Sequence, residues 1–269
     1  SLLDLNKCYY VDVLSGSYEG HRFEIDGGNS RGTSVTIVPG SWRNTMTLLP
    51  GLAGSQYAIR EYKTIGSQFP VGSYGKGSSL ATADYILTYQ DSQWKTYYVL
   101  DVAGTGRWVE AGSTDDRSGV CLDPAAPLFV HRKVTTLPQT QAGTVRQKKF
   151  ALPLPAGCRM APNPWPVAAS MVDRGLLNPS NAASDPFVGA TSSGAADQVM
   201  FWGGDTTLGS LTQEVHYYLK TTTRNHYTRA GNSSLPNTGI ELLFKPLRSQ
   251  YYCPKTAHPD YVMPLPWVP

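Results

Sequence analysis

The chain has 269 residues, 23 Lys and Arg against 20 Asp and Glu, and a net charge of +3. Only 16% of it is charged and 11% is aromatic, with 16 Tyr, 26 Gly and 20 Pro. That composition excludes a disordered chain and a coiled coil, and its small, scattered positive charge gives no argument for nucleic acid as a partner. No apolar run approaches the roughly 18 residues of a membrane-spanning helix, so no membrane span is expected.

The first elements alternate with a period of two. Tyr10-Val11-Asp12-Val13-Leu14, His21-Arg22-Phe23-Glu24-Ile25 and Thr33 to Val38 each send successive side chains to opposite faces. Asp26-Gly27-Gly28-Asn29, Pro39-Gly40, Pro50-Gly51 and Gly72 to Gly77 punctuate the chain as turns. The best helical candidate is a short turn over Ala168 to Val172, stopped by Gly175. Strands at short spacing, separated by Gly and Pro, predict an all-β chain of tandem antiparallel sandwich or barrel-like units.

An internal repeat supports the tandem arrangement. One copy runs from Asp84-Tyr85-Ile86-Leu87-Thr88-Tyr89 through Tyr97-Tyr98-Val99 and Arg107-Trp108 to Arg132. A later copy runs from Asp197-Gln198-Val199-Met200-Phe201-Trp202 through Tyr217-Tyr218-Leu219 and His226-Tyr227 to Arg248. A weaker copy begins at Tyr9-Tyr10-Val11 and reaches Arg22-Phe23. The ring of Trp108 or Tyr227 is expected to face a doublet Tyr across the strand pair, and Pro127 to Val130 and Leu242 to Phe244 are expected to close the units as buried strands. Three units are therefore expected, over residues 1–70, 71–146 and 147–269. Thr135 to Lys149 and Pro179 to Ala196 read as polar connections, and Pro259 to Pro269 as an extended apolar tail packed on its own domain or on another molecule.

Cys8, Cys121, Cys158 and Cys253 form no C-x-x-C pair. An even number of widely spaced cysteines fits an exported protein with up to two disulfides, in any of three pairings. A start at Ser1 without a signal-like segment fits a mature, processed chain.

Other segments carry a resemblance. Phe150 to Gly157, Met160 to Pro166, Asp173-Arg174-Gly175-Leu176 and Asp197 to Trp202 resemble, in order, an uncharacterised exported β-rich family of verrucomicrobial bacteria. Tyr9-Tyr10-Val11, Ser15-Gly16, Glu19-Gly20 and Ile65 to Pro70 are similar to it too. The resemblance implies export, β architecture and a further strand ahead of Ser1, and no activity. The chain departs from the family at its cysteines and its Pro-rich end.

Motifs for chemistry are sparse. Gly72 to Gly77 lacks the register of a phosphate loop, and no G-x-S-x-G or H-E-x-x-H occurs. His216 and His226 want a third metal ligand, and Asp115, Asp116 and Asp123 lack the spacing of a calcium loop. No catalytic residue, cofactor or metal is expected, and the chain is read as no enzyme. Trp42, Trp94 and Trp267 are the candidate aromatic contacts. The expected role is an extracellular or cell-surface structural protein that associates with other copies of itself into a filament or sheath through sheet edges or terminal segments. The alternative is a module that binds polysaccharide, or another surface, through exposed aromatics.

Overall fold

The fold was analysed in a computed structural model, which describes residues 3–4, 7–31, 33–38, 51–90, 93–124, 126–133, 146–177, 186–203, 212–220, 225–230, 232–236, 244, 249–258 and 261–266. Trp42, Trp267, most of the 135–149 connection, part of the 179–196 connection, Leu242, Leu243 and Arg248 lie outside these residues. The strands are β1 (Tyr9–Val13), β2 (Arg22–Arg31), β3 (Ser34–Ile37), β4 (Tyr57–Glu61), β5 (Tyr85–Gln90), β6 (Gln93–Val102), β7 (Thr105–Glu110) and β8 (Leu128–His131). They continue with β9 (Phe150–Ala151), β10 (Arg159–Pro162), β11 (Gln198–Gly203), β12 (Thr212–Lys220), β13 (Asn225–Arg229), β14 (Asn232–Pro236), β15 (Ser249–Cys253) and β16 (Val262–Met263). One short α-helix, α1 (Ile65–Gln68), and a single 3-10 turn at Val71–Ser73 interrupt them. The chain is thus all-β, in four antiparallel sheets, and among the described residues no sheet closes into a barrel.

The sheet orders are β3-β2-β1-β4, β7-β6-β5-β8, β10-β15-β11-β12-β13-β14 and β16-β9. In the first two, three consecutive strands lie side by side and the fourth returns beside the first, the Greek-key order. The stretch β13-β12-β11-β15 of the third sheet has the same order.

The chain divides into two compact units. Unit 1 holds residues 1–10, 25–37 and 59–144, and unit 2 holds 11–24, 38–58 and 145–269. In unit 1, Ile86, Tyr97, Val99 and Trp108 turn one face of their sheet onto Ile65, Phe69, Tyr74 and Leu122. α1 exists because Thr64 and Ser67 cap each other: each side chain accepts the other's backbone N–H, at 3.2 and 2.8 Å. Ile65 is then carried into the core and the Phe69 carbonyl meets the Trp108 indole N–H at 2.7 Å. The sequence pattern missed this helix because four residues are too few to set up a 3.6 period. The β6–β7 turn is two residues, Ala103 and Gly104, both at positive φ (51° and 84°), as a type I′ hairpin turn requires.

In unit 2, the turn expected near Ala168 forms over Ser170 to Arg174, where the Arg174 N–H reaches the Ser170 carbonyl at 3.2 Å and Gly175 ends it at φ 65°. The apolar tail packs within this unit: Val262 pairs with Ala151 and Met263 with Phe150. Gly20 (φ 95°) cannot be replaced freely, since a Cβ there would stand 2.7 Å from the Lys149 carbonyl group.

Both disulfides are present. Cys8 joins Cys121 across 113 positions in unit 1, and Cys158 joins Cys253 across 95 in unit 2. Loops this long remove much chain entropy from the unfolded state. A Cys158→Ser/Cys253→Ser variant is expected to lose roughly 2–5 kcal/mol of stability in urea titrations under non-reducing conditions; an unchanged midpoint and slope would show that the bridge constrains nothing.

Candidate interaction surface

Two buried aspartates each lock the start of a central strand. Asp84 precedes β5 and is fully buried. Its N–H donates to the Gly75 carbonyl at 3.0 Å, and its carboxylate accepts the Gly75 N–H at 2.8 Å and the Lys133 N–H at 2.6 Å. Arg132 lies 3.4 Å from the same carboxylate and places its guanidinium 3.8 Å over the Tyr74 ring. Asp197 precedes β11 and is also fully buried. Its N–H donates to the Val188 carbonyl at 2.9 Å, and its carboxylate accepts the N–H of Val188 at 2.6 Å and of Lys255 at 2.5 Å. His258 lies 3.5 Å from it and stacks on Phe187, the residue before Val188. In each circuit the partner is the residue nine positions earlier, and the second donor is the Lys two positions past the returning strand.

The two strand sets differ in register in two respects. Tyr85 lies opposite Tyr98, but Gln198 lies opposite Tyr217, so the second doublet sits one position out of step. Tyr227 is opposite Tyr218, whereas Trp108 is opposite Val99. The returning strand beside β11 is β15, while Phe244 makes only an isolated bridge with Ala169.

The returning strands end at different surroundings. The outer edge of β15 is covered by β10, with Met160 opposite Tyr251 and Arg159 opposite Tyr252. Among the described residues nothing pairs with the outer edges of β8 or β4. Phe129 and Val130 of β8 are 40% and 39% exposed, and Tyr57 and Ile59 of β4 are 62% and 40% exposed. Phe129 continues an aromatic half-face across the sheet. Its ring lies 5.6 Å from that of Trp94, which is 5.5 Å from Tyr89. The other half of that face is filled by Ala83, Leu80 and Tyr85 against Tyr98 and Val109. Of the three tryptophans singled out from sequence, Trp94 is thus placed on an exposed face, and the other two lie outside the described residues.

The remaining candidates are dispersed. Gly72 to Gly77 folds over β6, where the Gly77 N–H meets the Val99 carbonyl at 3.1 Å. His216 pairs with Arg229 and His226 with Leu219, so the two are three register steps apart. The Ser118 side chain and then its N–H, 2.8 Å away, lower the Asp116 carboxyl from its ordinary value, and Asp115 sits 3.6 Å from Arg117. No metal-ligating cluster of three or more His, Cys, Asp or Glu occurs among the described residues. Comparison with protein families, curated proteins and solved structures finds no match to this chain.

One buried cation escaped the sequence reading. Arg174 is fully buried, 4.7 Å from the Trp165 ring and 5.1 Å from that of Phe244, and no ion pair of it occurs among the described residues. Nearby Tyr252 and Tyr261 are also buried, and burial raises both phenols, Tyr261 well above the ordinary value. A phenol raised on folding keeps its proton in the folded state after the unfolded chain has lost it. Stability is then complete below the unfolded value, about 10, and falls as pH rises beyond it. Absorbance titration is expected to show these two tyrosines ionising only together with alkaline unfolding; their titration in a still-folded protein would contradict the burial.

The aspartate circuits give a sharper test. Removing either carboxylate strands two backbone donors, so Asp84→Ala and Asp197→Ala are each expected to cost about 3 kcal/mol or more in urea unfolding. Losses below about 1 kcal/mol, the scale of one ordinary hydrogen bond, would show that the circuits merely decorate the fold.

Proposed function

We propose that the chain is an exported structural protein made of three copies of one four-strand Greek-key module, which joins further copies of itself through uncovered sheet edges. The shared strand order of the three sets, and the matching circuits of Asp84 and Asp197, support a common module. Two long-range disulfides fit an oxidising compartment outside the cell. The resemblance to the exported verrucomicrobial family agrees and adds no reaction, so the role proposed is non-catalytic.

The observation that carries self-association is the contrast between β15 and its counterparts. One returning strand has its edge covered by β10; among the described residues nothing pairs with the outer edges of the other two, which expose Phe129 and Val130 in β8 and Tyr57 and Ile59 in β4. Soluble proteins blunt such edges with charge, Pro or short length, and an unblunted one templates pairing. Sedimentation velocity over a wide concentration range is expected to show mass rising with concentration, with fibres or sheets in negative-stain images of the most concentrated samples. A monomer at every concentration would reject the proposal.

The contact of Tyr89, Trp94 and Phe129 favours a second reading, in which the half-face stacks on polysaccharide. Glycan-array binding that disappears in Trp94→Ala, with self-association unaltered, would select that reading.

A further inference from the structure

We propose that β8 pairs antiparallel with β8 of a second copy about a twofold axis, with Phe129 opposite Phe129 of the other copy. The inference rests on the self-association reading and names the edge, the occupant and the register.

The register follows from the ladder. In an antiparallel pair, alternate residues turn both N–H and C=O toward the same neighbour. The Pro127 carbonyl accepts from the Tyr89 N–H at 3.4 Å, on the β5 side. Phe129 and His131 share that parity and lie opposite Leu87 and Tyr85. The polar backbone groups of Leu128 and Val130 therefore point away from β5, to the edge that no described strand occupies. An axis through Phe129 sets Leu128 against Val130 of the other copy, and the reverse, which satisfies these outward groups in both directions.

Face and charge agree with the same register. Residues directly opposite share a face of the sheet, so the two Phe129 rings join the Trp94 contacts of both copies into one continuous apolar row. His131 ends β8, and Arg132 and Lys133 follow it. Antiparallel pairing sends the two basic runs to opposite ends of the interface, whereas parallel pairing would set them side by side. The occupied counterpart shows the geometry to be compatible with this module: β10 lies antiparallel on β15, with Met160 opposite Tyr251. Tyr251 is opposite Met200 in β11, as Phe129 is opposite Leu87 in β5.

The test uses the full, disulfide-bonded chain. Val130→Pro removes an N–H that points away from β5, so the native ladder is kept while the open edge loses a donor. In sedimentation velocity and native mass spectrometry the unaltered chain is expected to form dimers or multiples of them. Val130→Pro is expected to be monomeric, with unchanged circular dichroism and urea midpoint. Independently, Phe129→Cys is expected to cross-link to its own copy when reductant is removed, because residues opposite at a non-hydrogen-bonded position bring Cβ atoms close enough for a disulfide. Val130→Cys is expected not to. Should Val130→Pro fail to fold, the cysteine pair decides alone. Val130→Pro associating like the unaltered chain would overturn the β8 pairing while leaving self-association standing. Cross-linking between Phe129→Cys and Ile59→Cys molecules in a mixture would transfer the edge to β4. A monomer at every concentration would remove both readings.

Discussion

The structure depends on a carboxylate placed where a central strand begins. Returning a fourth strand beside the first carries a long connection and a matching entropy cost, and nothing in a strand ladder fixes where that strand must stop. Asp84 and Asp197 fix it. One oxygen of each holds the approach to the central strand, and the other holds the backbone just beyond the returning strand. A buried carboxylate is costly unless it accepts several hydrogen bonds, so a half-built circuit is worse than none. That makes closure of the four-strand set close to all-or-none. It also explains how the same order can recur around different connections: the circuit constrains the ends and leaves the loops free.

The two circuits are completed differently. Arg132, permanently charged, faces Asp84 and rests on Tyr74, whereas His258 faces Asp197 and rests on Phe187. The Arg comes from the residue directly after the returning strand, and the His from a segment that also pairs with Leu154. In unit 2 the side chain facing the carboxylate is thus supplied by the same region that packs the tail onto β9, which ties circuit and tail together.

Much of the architecture was legible in the sequence, and the reasons for the remainder are specific. Period-two alternation located β1, β2 and β3, and the segments read as copies of one another located β5, β6 and β11. The aspartates were visible as the first residues of the repeated segments, but their partners were not, since those partners are backbone groups and any residue supplies an N–H. The one-position slip of the Tyr217-Tyr218 doublet escaped for a related reason: similar residues in similar order do not fix register when hairpin lengths differ. The closing strand after Phe244 was misplaced because Ser249 to Cys253 carries no long apolar run. Arg174 stands in the sequence only within the Asp173-Arg174-Gly175-Leu176 stretch of the resemblance, which says nothing of burial; its burial is set by Trp165, Phe244, Tyr252 and Tyr261, which come from distant segments. Of the proposed surface, Trp94 was identifiable, but the lack of a described strand beside β8 was not. An edge is defined by which strand fails to lie beside it, and sequence patterns speak only of the strand itself.

Pairing β8 about a twofold has a consequence for assembly. An isologous contact closes on itself and by itself gives only a dimer. A filament therefore needs a second contact, and the outer edge of β4, unpaired among the described residues and with Tyr57 and Ile59 exposed, is a candidate for it. If β4 also met its own copy, the two dyads would alternate along the assembly and growth would be open-ended without any change of fold. If β4 were instead capped by another segment, growth would stop at two. The distinction between a sheath subunit and a dimeric surface protein thus reduces to whether one short edge strand, ending in Arg60 and Glu61 with Lys7 2.9 Å from the latter's carboxylate, is left free. That exposed ion pair sits at the end of the strand where charge blunts an edge, and β8 has no acidic counterpart among its own four residues. On this argument β8 associates first and more firmly, and β4 sets whether the chain goes on.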